Sequence, residues 1–201
     1  MKKCLVYIHG MGGNTEEAKH YEKLFPSYET ISFDYKSENP WDAQSEFSSF
    51  FEEIENKYDE IILIAVSIGA YFSISSLSNR KIKKAFFISP IVDMKNVIEN
   101  MMKQENITEN ELIEKKEIIT SNSQVLSNKY YQFAKKQEIK WNAPGIIIYG
   151  DRDNFTSCEI MKNFSKKHNM KLYILKNSEH WFHNEIQMKF IDEVIQANTE
   201  N

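Results

Sequence analysis

Three side chains of different chemical kind stand at equivalent places in this chain, each just after a short apolar run. A hydroxyl lies in Ala65-Val66-Ser67-Ile68-Gly69. A carboxylate lies in Gly150-Asp151-Arg152-Asp153, behind Ile146 to Tyr149, and an imidazole lies in Ser178-Glu179-His180-Trp181, behind Leu172 to Leu175. A serine hydroxyl is a poor nucleophile at neutral pH. It needs a base to take its proton and a third group to orient that base. The chain order Ser, Asp, His supplies such a set and goes with a serine carried on a sharp strand-to-helix turn. The chemistry is acyl transfer: attack on a carbonyl carbon, then release of the acyl group to water.

Acyl transfer also needs donors for the oxyanion that develops on the carbonyl oxygen. The first apolar run ends in His9-Gly10-Met11-Gly12-Gly13-Asn14, and five of the chain's six glycines fall in this segment or in the serine and carboxylate motifs. The N–H of Met11 and the N–H of Ile68, at the start of the helix behind Ser67, are the candidate donors. Phosphate binding is the competing use of such a loop, but the segment lacks both G-x-G-x-x-G and the Lys-Ser/Thr of a P-loop.

The residues alone leave alternatives. Asp151 and Asp93 compete with Asp153 for the acid position, and His183 competes with His180. His9 is read as a support of the glycine loop, and His20 and His168 as exposed helix positions. The pairs His180/His183 and Asp151/Asp153 form no compact set of three ligands, so neither metal nor cofactor is expected. Cys4 and Cys158 are too few and too far apart for a disulfide framework.

These groups must be held by elements that end at one edge. The strand candidates are Cys4 to His9, Thr30 to Phe33, Ile61 to Val66, Ala85 to Ser89, Ile146 to Tyr149 and Leu172 to Leu175, and most of them are continuously apolar, as strands are when helices cover both faces of a parallel sheet. Helices are predicted over Thr15 to Leu24, Trp41 to Asn56, Ile68 to Leu77, Thr156 to Lys167 and Glu185 to Ala197. Asn14/Glu17, Thr108/Glu111 and Thr156/Glu159 are spaced as capping boxes, and Pro40 suits a first helical position. The loops after the C-terminal ends of parallel strands share one crevice, which is where all four motifs fall.

The segment from Ile91 to Trp141 breaks the alternation. It has no strand signal and is too long for a connection, so a helical insertion is expected, acting as a cap or lid. Met94, Val97, Ile98, Met101 and Met102 recur at helical spacing. Met94, Ile98 and Met101, together with Trp181, are the candidate lining of an apolar pocket; a stripe packed on the core is the plainer alternative.

Composition sets the class. With 41% hydrophobic and 27% charged residues in 201, the chain reads as a single globular domain over 1–201, with the insertion at 91–141 inside it. A net charge of −4 implies no general attraction to nucleic acid or anionic membrane. The charge-free run Ile61 to Asn79 approaches bilayer-spanning length, but its serines and Gly69 suit a buried strand and helix better, so no integral membrane segment is expected. His9-Gly10 cuts short the apolar stretch behind Lys2 and Lys3, so a cytoplasmic protein is expected rather than an exported one.

In motif order and in all four motif positions the chain resembles the α/β-hydrolase superfamily, in particular its small bacterial esterase- and lipase-like members, over essentially its whole length. The resemblance implies a minimal α/β-hydrolase fold: a mainly parallel sheet of about six strands flanked by helices, with a small helical cap insertion. It further implies Ser67 as nucleophile, His180 as base and then acid, Asp153 as the orienting carboxylate, and Met11 and Ile68 as oxyanion donors. The implied activity is that of a serine carboxylesterase. Its substrate would be a small ester or thioester with an apolar acyl group. Two departures stand out: Ala65 replaces the first glycine of the serine turn, and the family's first two strands are missing. The alternatives are a catalytically silent binding or regulatory module, or other chemistry on the same triad, such as carbon–carbon hydrolysis, perhydrolysis or peptide hydrolysis. Oligomeric state is not legible.

Overall fold

The computed structural model describes residues 1–199. Its chain forms two compact units: Met1–Ile91 with the chain from Lys140 onward, and Val92–Ile139.

The first unit is built on six strands: β1 (Lys3–Ile8), β2 (Glu29–Ser32), β3 (Glu60–Val66), β4 (Lys84–Ile88), β7 (Gly145–Gly150) and β8 (Lys171–Leu175). They lie in the order β2-β1-β3-β4-β7-β8, with every neighbouring pair parallel. The four central strands are apolar at successive positions because both faces are covered. Leu5, Tyr7, Ile62, Ile64, Phe86, Ile88, Ile146 and Ile148 join one buried cluster with Tyr21, Phe25, Ile191 and Ile195. The alternate residues Val6, Leu63, Phe87 and Ile147 point to the opposite face and are fully buried too. There Phe87 meets the ring of Trp141 edge-on, at 4.9 Å between centroids.

Helices α1 (Ala18–Glu22), α2 (Pro40–Lys57), α3 (Ser67–Ser76), α7 (Cys158–Lys167) and α8 (Glu185–Thr199) complete this unit. Asn39 caps α2 by accepting from the Asp42 N–H, with Pro40 in the first turn. The helix expected over Thr15 to Leu24 is instead a 3-10 turn at Thr15–Glu17 followed by the short α1. The cap of α7 is Ser157 rather than Thr156; its hydroxyl accepts from the Ile160 N–H.

The second unit holds α4 (Met94–Gln104), α5 (Glu109–Lys115) and α6 (Asn128–Lys136). Thr108 and Glu111 form the expected capping box on α5. The expectation of a wholly helical segment is corrected, because β5 (Glu117–Ile119) and β6 (Val125–Ser127) pair as an antiparallel hairpin. Tyr131 donates to Glu99 at 2.9 Å, tying α6 to α4. No helix among the described residues is long and apolar enough to cross a membrane.

Candidate active site

Strand β3 runs straight into α3 at Ser67. The turn is sharp because Ser67 has φ +50°, a conformation that costs a non-glycine residue about 1–3 kcal/mol. The helix can start so close to β1 only because Gly69 has no side chain: a Cβ there would lie 2.2 Å from the carbonyl oxygen of His9. A serine held this way projects its hydroxyl from the C-terminal edge of the sheet.

Strands β7 and β8 deliver the other two groups. The Asp151 N–H donates to the Leu175 carbonyl at 3.1 Å, and the Arg152 N–H to the Ser178 carbonyl at 2.9 Å, so the two loops are laced together through their backbones. Gly150 lets them approach: a Cβ there would lie 2.4 Å from the Ser178 carbonyl oxygen.

The side chains then meet in a line. Ser67 Oγ is 2.7 Å from His180 Nε2, and His180 Nδ1 is 2.7 Å from Asp153 Oδ2. The carboxylate can only accept, so Nδ1 carries the proton and Nε2 is left to accept from the serine hydroxyl. The second carboxylate oxygen is held by the N–H groups of Phe155 at 2.8 Å and Thr156 at 3.3 Å. The side chains of His180 and Asp153 are 2% and 0% exposed, so their contact is shielded from water. Such a line can draw the proton off Ser67 and return it to a leaving group.

The competing residues lie elsewhere. Asp151 is exposed, and Asp93 caps α4 by accepting from the Asn96 N–H. His183 is largely exposed, with its Nδ1 2.7 Å from the Trp181 carbonyl. His9 does brace the glycine loop, its Nδ1 lying 2.8 Å from the Gly10 carbonyl.

A cavity of about 510 Å³ opens at Ser67 and His180. Met11, Val66, Ile88, Trp181, Met188 and Ile191 give it apolar walls. Met94, Ile98 and Met101 are not among its lining residues; Met94 and Ile98 are buried on α4, and Met101 is half-buried there. The Met11 N–H makes no hydrogen bond among the described residues, and no side chain caps the start of α3, where the Ile68 N–H lies.

The profile of the uncharacterised protein family UPF0227 matches residues 4–196. The chain belongs to that family. No curated protein matches it in sequence. Among solved structures, the UPF0227 chain is similar to Est1E from Butyrivibrio proteoclasticus, at 19% identity and a TM-score of 0.77, covering 100% of this chain and 88% of that one. It is also similar to alpha/beta hydrolase domain-containing protein 10 from mouse, at 12% identity and a TM-score of 0.78, covering 98% and 89%. A lipase-esterase related protein from Clostridium acetobutylicum matches at 18% identity and a TM-score of 0.66, covering 97% and 93%. The fold of this UPF0227 member is therefore that of the α/β hydrolases.

Several residues around the site carried no signal in the sequence. Ser89, buried at the end of β4, donates to the backbone carbonyl of His180 at 2.8 Å and so steadies the imidazole's loop. Phe155 packs on the imidazole itself, at 4.6 Å between ring centroids. Tyr7, Glu17 and His20 also line the cavity of this UPF0227 protein. Their local spacing, which marks Glu17 only as a helix-capping residue and His20 only as an exposed helix position, does not place them at the site, because they come together only when β1 and α1 are folded.

Proposed function

We propose that the protein is a serine hydrolase that cleaves carboxylic esters or thioesters through a covalent acyl-enzyme. The observation that carries this reading is the unbroken, buried line from Ser67 Oγ through His180 to Asp153 Oδ2, with both gaps at 2.7 Å. Ser67 Oγ attacks the carbonyl carbon as its proton passes to His180 Nε2. The N–H groups of Met11 and Ile68 receive the oxyanion, each worth about 3 kcal/mol of barrier. His180 then gives its proton to the leaving alcohol or thiol, and a water molecule, deprotonated by His180, releases the acyl group. Asp153 holds the imidazole in its working tautomer throughout.

The walls of the cavity favour an apolar stretch next to the carbonyl. One similar structure, at 17% identity and a TM-score of 0.73, is Est1E with ferulic acid bound, which adds aromatic acyl groups to the substrates worth assaying.

The test is covalent labelling by a fluorophosphonate probe, with turnover of p-nitrophenyl and thioester substrates of graded acyl length. Wild type is expected to be labelled and to turn over members of the panel. Ser67→Ala is expected to lose the label entirely and to fall at least about 10³-fold in kcat. A folded wild type that takes no label and turns over no member of the panel would overturn the reading.

A further inference from the structure

The cavity contains a charged group that the proposed reaction does not use. Glu17 follows the glycine loop, and its Oε2 accepts a hydrogen bond of 2.5 Å from the hydroxyl of Tyr7, another wall residue. Its Oε1 accepts nothing among the described residues. Burial, together with the nearby Tyr21 and Glu17, pushes the pKa of the Tyr7 hydroxyl far above the usual range, so Tyr7 stays a neutral donor. No Lys or Arg lines the cavity to neutralise the carboxylate. The nearby His20 is already engaged, with its Nε2 2.7 Å from Asp192 Oδ1.

The carboxylate and the serine flank the same turn of the glycine loop. A Cβ on Gly10 would lie 3.1 Å from the Cβ of Ser67, and a Cβ on Gly13 would lie 3.0 Å from both oxygens of Glu17. Between these two glycines the chain makes one tight turn, closed by the Gly13 N–H donating to the Gly10 carbonyl at 3.1 Å. A single turn of backbone therefore has Ser67 beside one end and an acceptor-only carboxylate beside the other.

We propose that Glu17, fixed by Tyr7, is a specificity-determining subsite that selects esters in which one half ends in a hydrogen-bond donor, a hydroxyl or an ammonium group. The proposal rests on the serine-hydrolase reading above and sharpens it: the substrate is amphipathic, with an apolar stretch beside the carbonyl and a donor at its far end. An anionic end is disfavoured, because it would meet a like charge with no cation to offset it.

The experiment uses two matched series of short esters, one varying the end of the acyl chain and one the end of the alcohol, each finishing in methyl, hydroxyl, ammonium or carboxylate. In at least one series wild type is expected to favour a donor-ended ester over its methyl-ended twin by about ten-fold in kcat/KM, the scale of one hydrogen bond to a charged group. A hydroxyl-ended ester that matches the ammonium-ended one assigns the preference to hydrogen bonding; an ammonium-ended ester that exceeds it assigns the preference to charge. The ratio is expected to collapse in Glu17→Gln and to be partly kept in Glu17→Asp, with folding checked by circular dichroism. Equal rates across both series in wild type overturn the subsite, and so does a preference that survives Glu17→Gln. A parallel loss on all esters in that variant would reduce Glu17 to a structural role and overturn it as well. If wild type takes no fluorophosphonate and cleaves no ester, it is the hydrolase reading that fails, and the subsite falls with it.

Discussion

His180 is held from three sides. Asp153 takes its Nδ1, Ser89 takes its backbone carbonyl, and Phe155 packs on its ring. Only Nε2 is left for Ser67. In the proposed reaction this makes the tautomer, rather than the mere presence of an imidazole, the quantity on which the rate depends. Asp153→Asn keeps the size of the side chain but can present an N–H to Nδ1, which moves the ring proton to the wrong nitrogen. Its kcat is expected to fall by about 10⁴-fold with little change in melting temperature, measured by steady-state hydrolysis and thermal unfolding. The meeting of Ser67, Asp153 and His180 was legible in the sequence because each follows a strand and all three strands end at one edge of the sheet. Ser89, Tyr7 and Glu17 were not, since their partners are 91, 10 and 10 residues away along the chain and no local pattern encodes those pairings.

At the level of elements, the geometry depends on how closely the strand ends approach one another. The loops after β7 and β8 touch through backbone atoms at Gly150, and the turn after β3 touches the end of β1 at Gly69. Gly150→Ala puts a methyl group against the carbonyls of Ser178 and Glu179, neither of which is a flexible side-chain end. Overpacking of this kind costs about 1–3 kcal/mol. The variant is expected to melt lower than wild type and to lose kcat more than it raises KM, because Asp153 and His180 are displaced together. All six strands of the large sheet could be read to within about one residue, and the four central ones most clearly, since burial on both faces leaves an uninterrupted apolar signal. The hairpin of β5 and β6 could not: each strand is three residues long, Glu117 and Val125 are exposed, and so short a stretch shows no period. The Ser157 cap was missed for a similar reason, because Thr156 and Ser157 offer the same chemistry one residue apart.

Across the whole molecule, the two edges of the sheet do different work. The C-terminal edge carries the site. The N-terminal edge carries a charge cluster in which Glu60, at the start of β3, takes hydrogen bonds from Lys83 and Tyr28 and lies 3.4 Å from Lys3 of β1. Burial of the carboxylate alone would raise its pKa, but these partners outweigh it and bring it from the usual 4.5 down to about 2. A depressed carboxylate stabilises the fold at pH values above its unfolded pKa, and that stabilisation is lost as pH falls towards the folded value. Between about pH 4.5 and 2 the melting temperature of wild type is expected to drop more steeply than that of Glu60→Gln, followed by differential scanning fluorimetry.

The arrangement of strands also bears on the order in which the protein becomes competent. In the proposed reaction Ser67 is in place once β1 and β3 have paired, but its base and acid arrive after β8 and β7, later in the chain than the Val92–Ile139 unit. On that reading a chain emerging from the ribosome, or refolding from denaturant, carries an inert hydroxyl until its last two strands have joined the sheet. Fluorophosphonate uptake during refolding is expected to lag behind the return of helical circular dichroism, so the label times the final docking step rather than the collapse that precedes it.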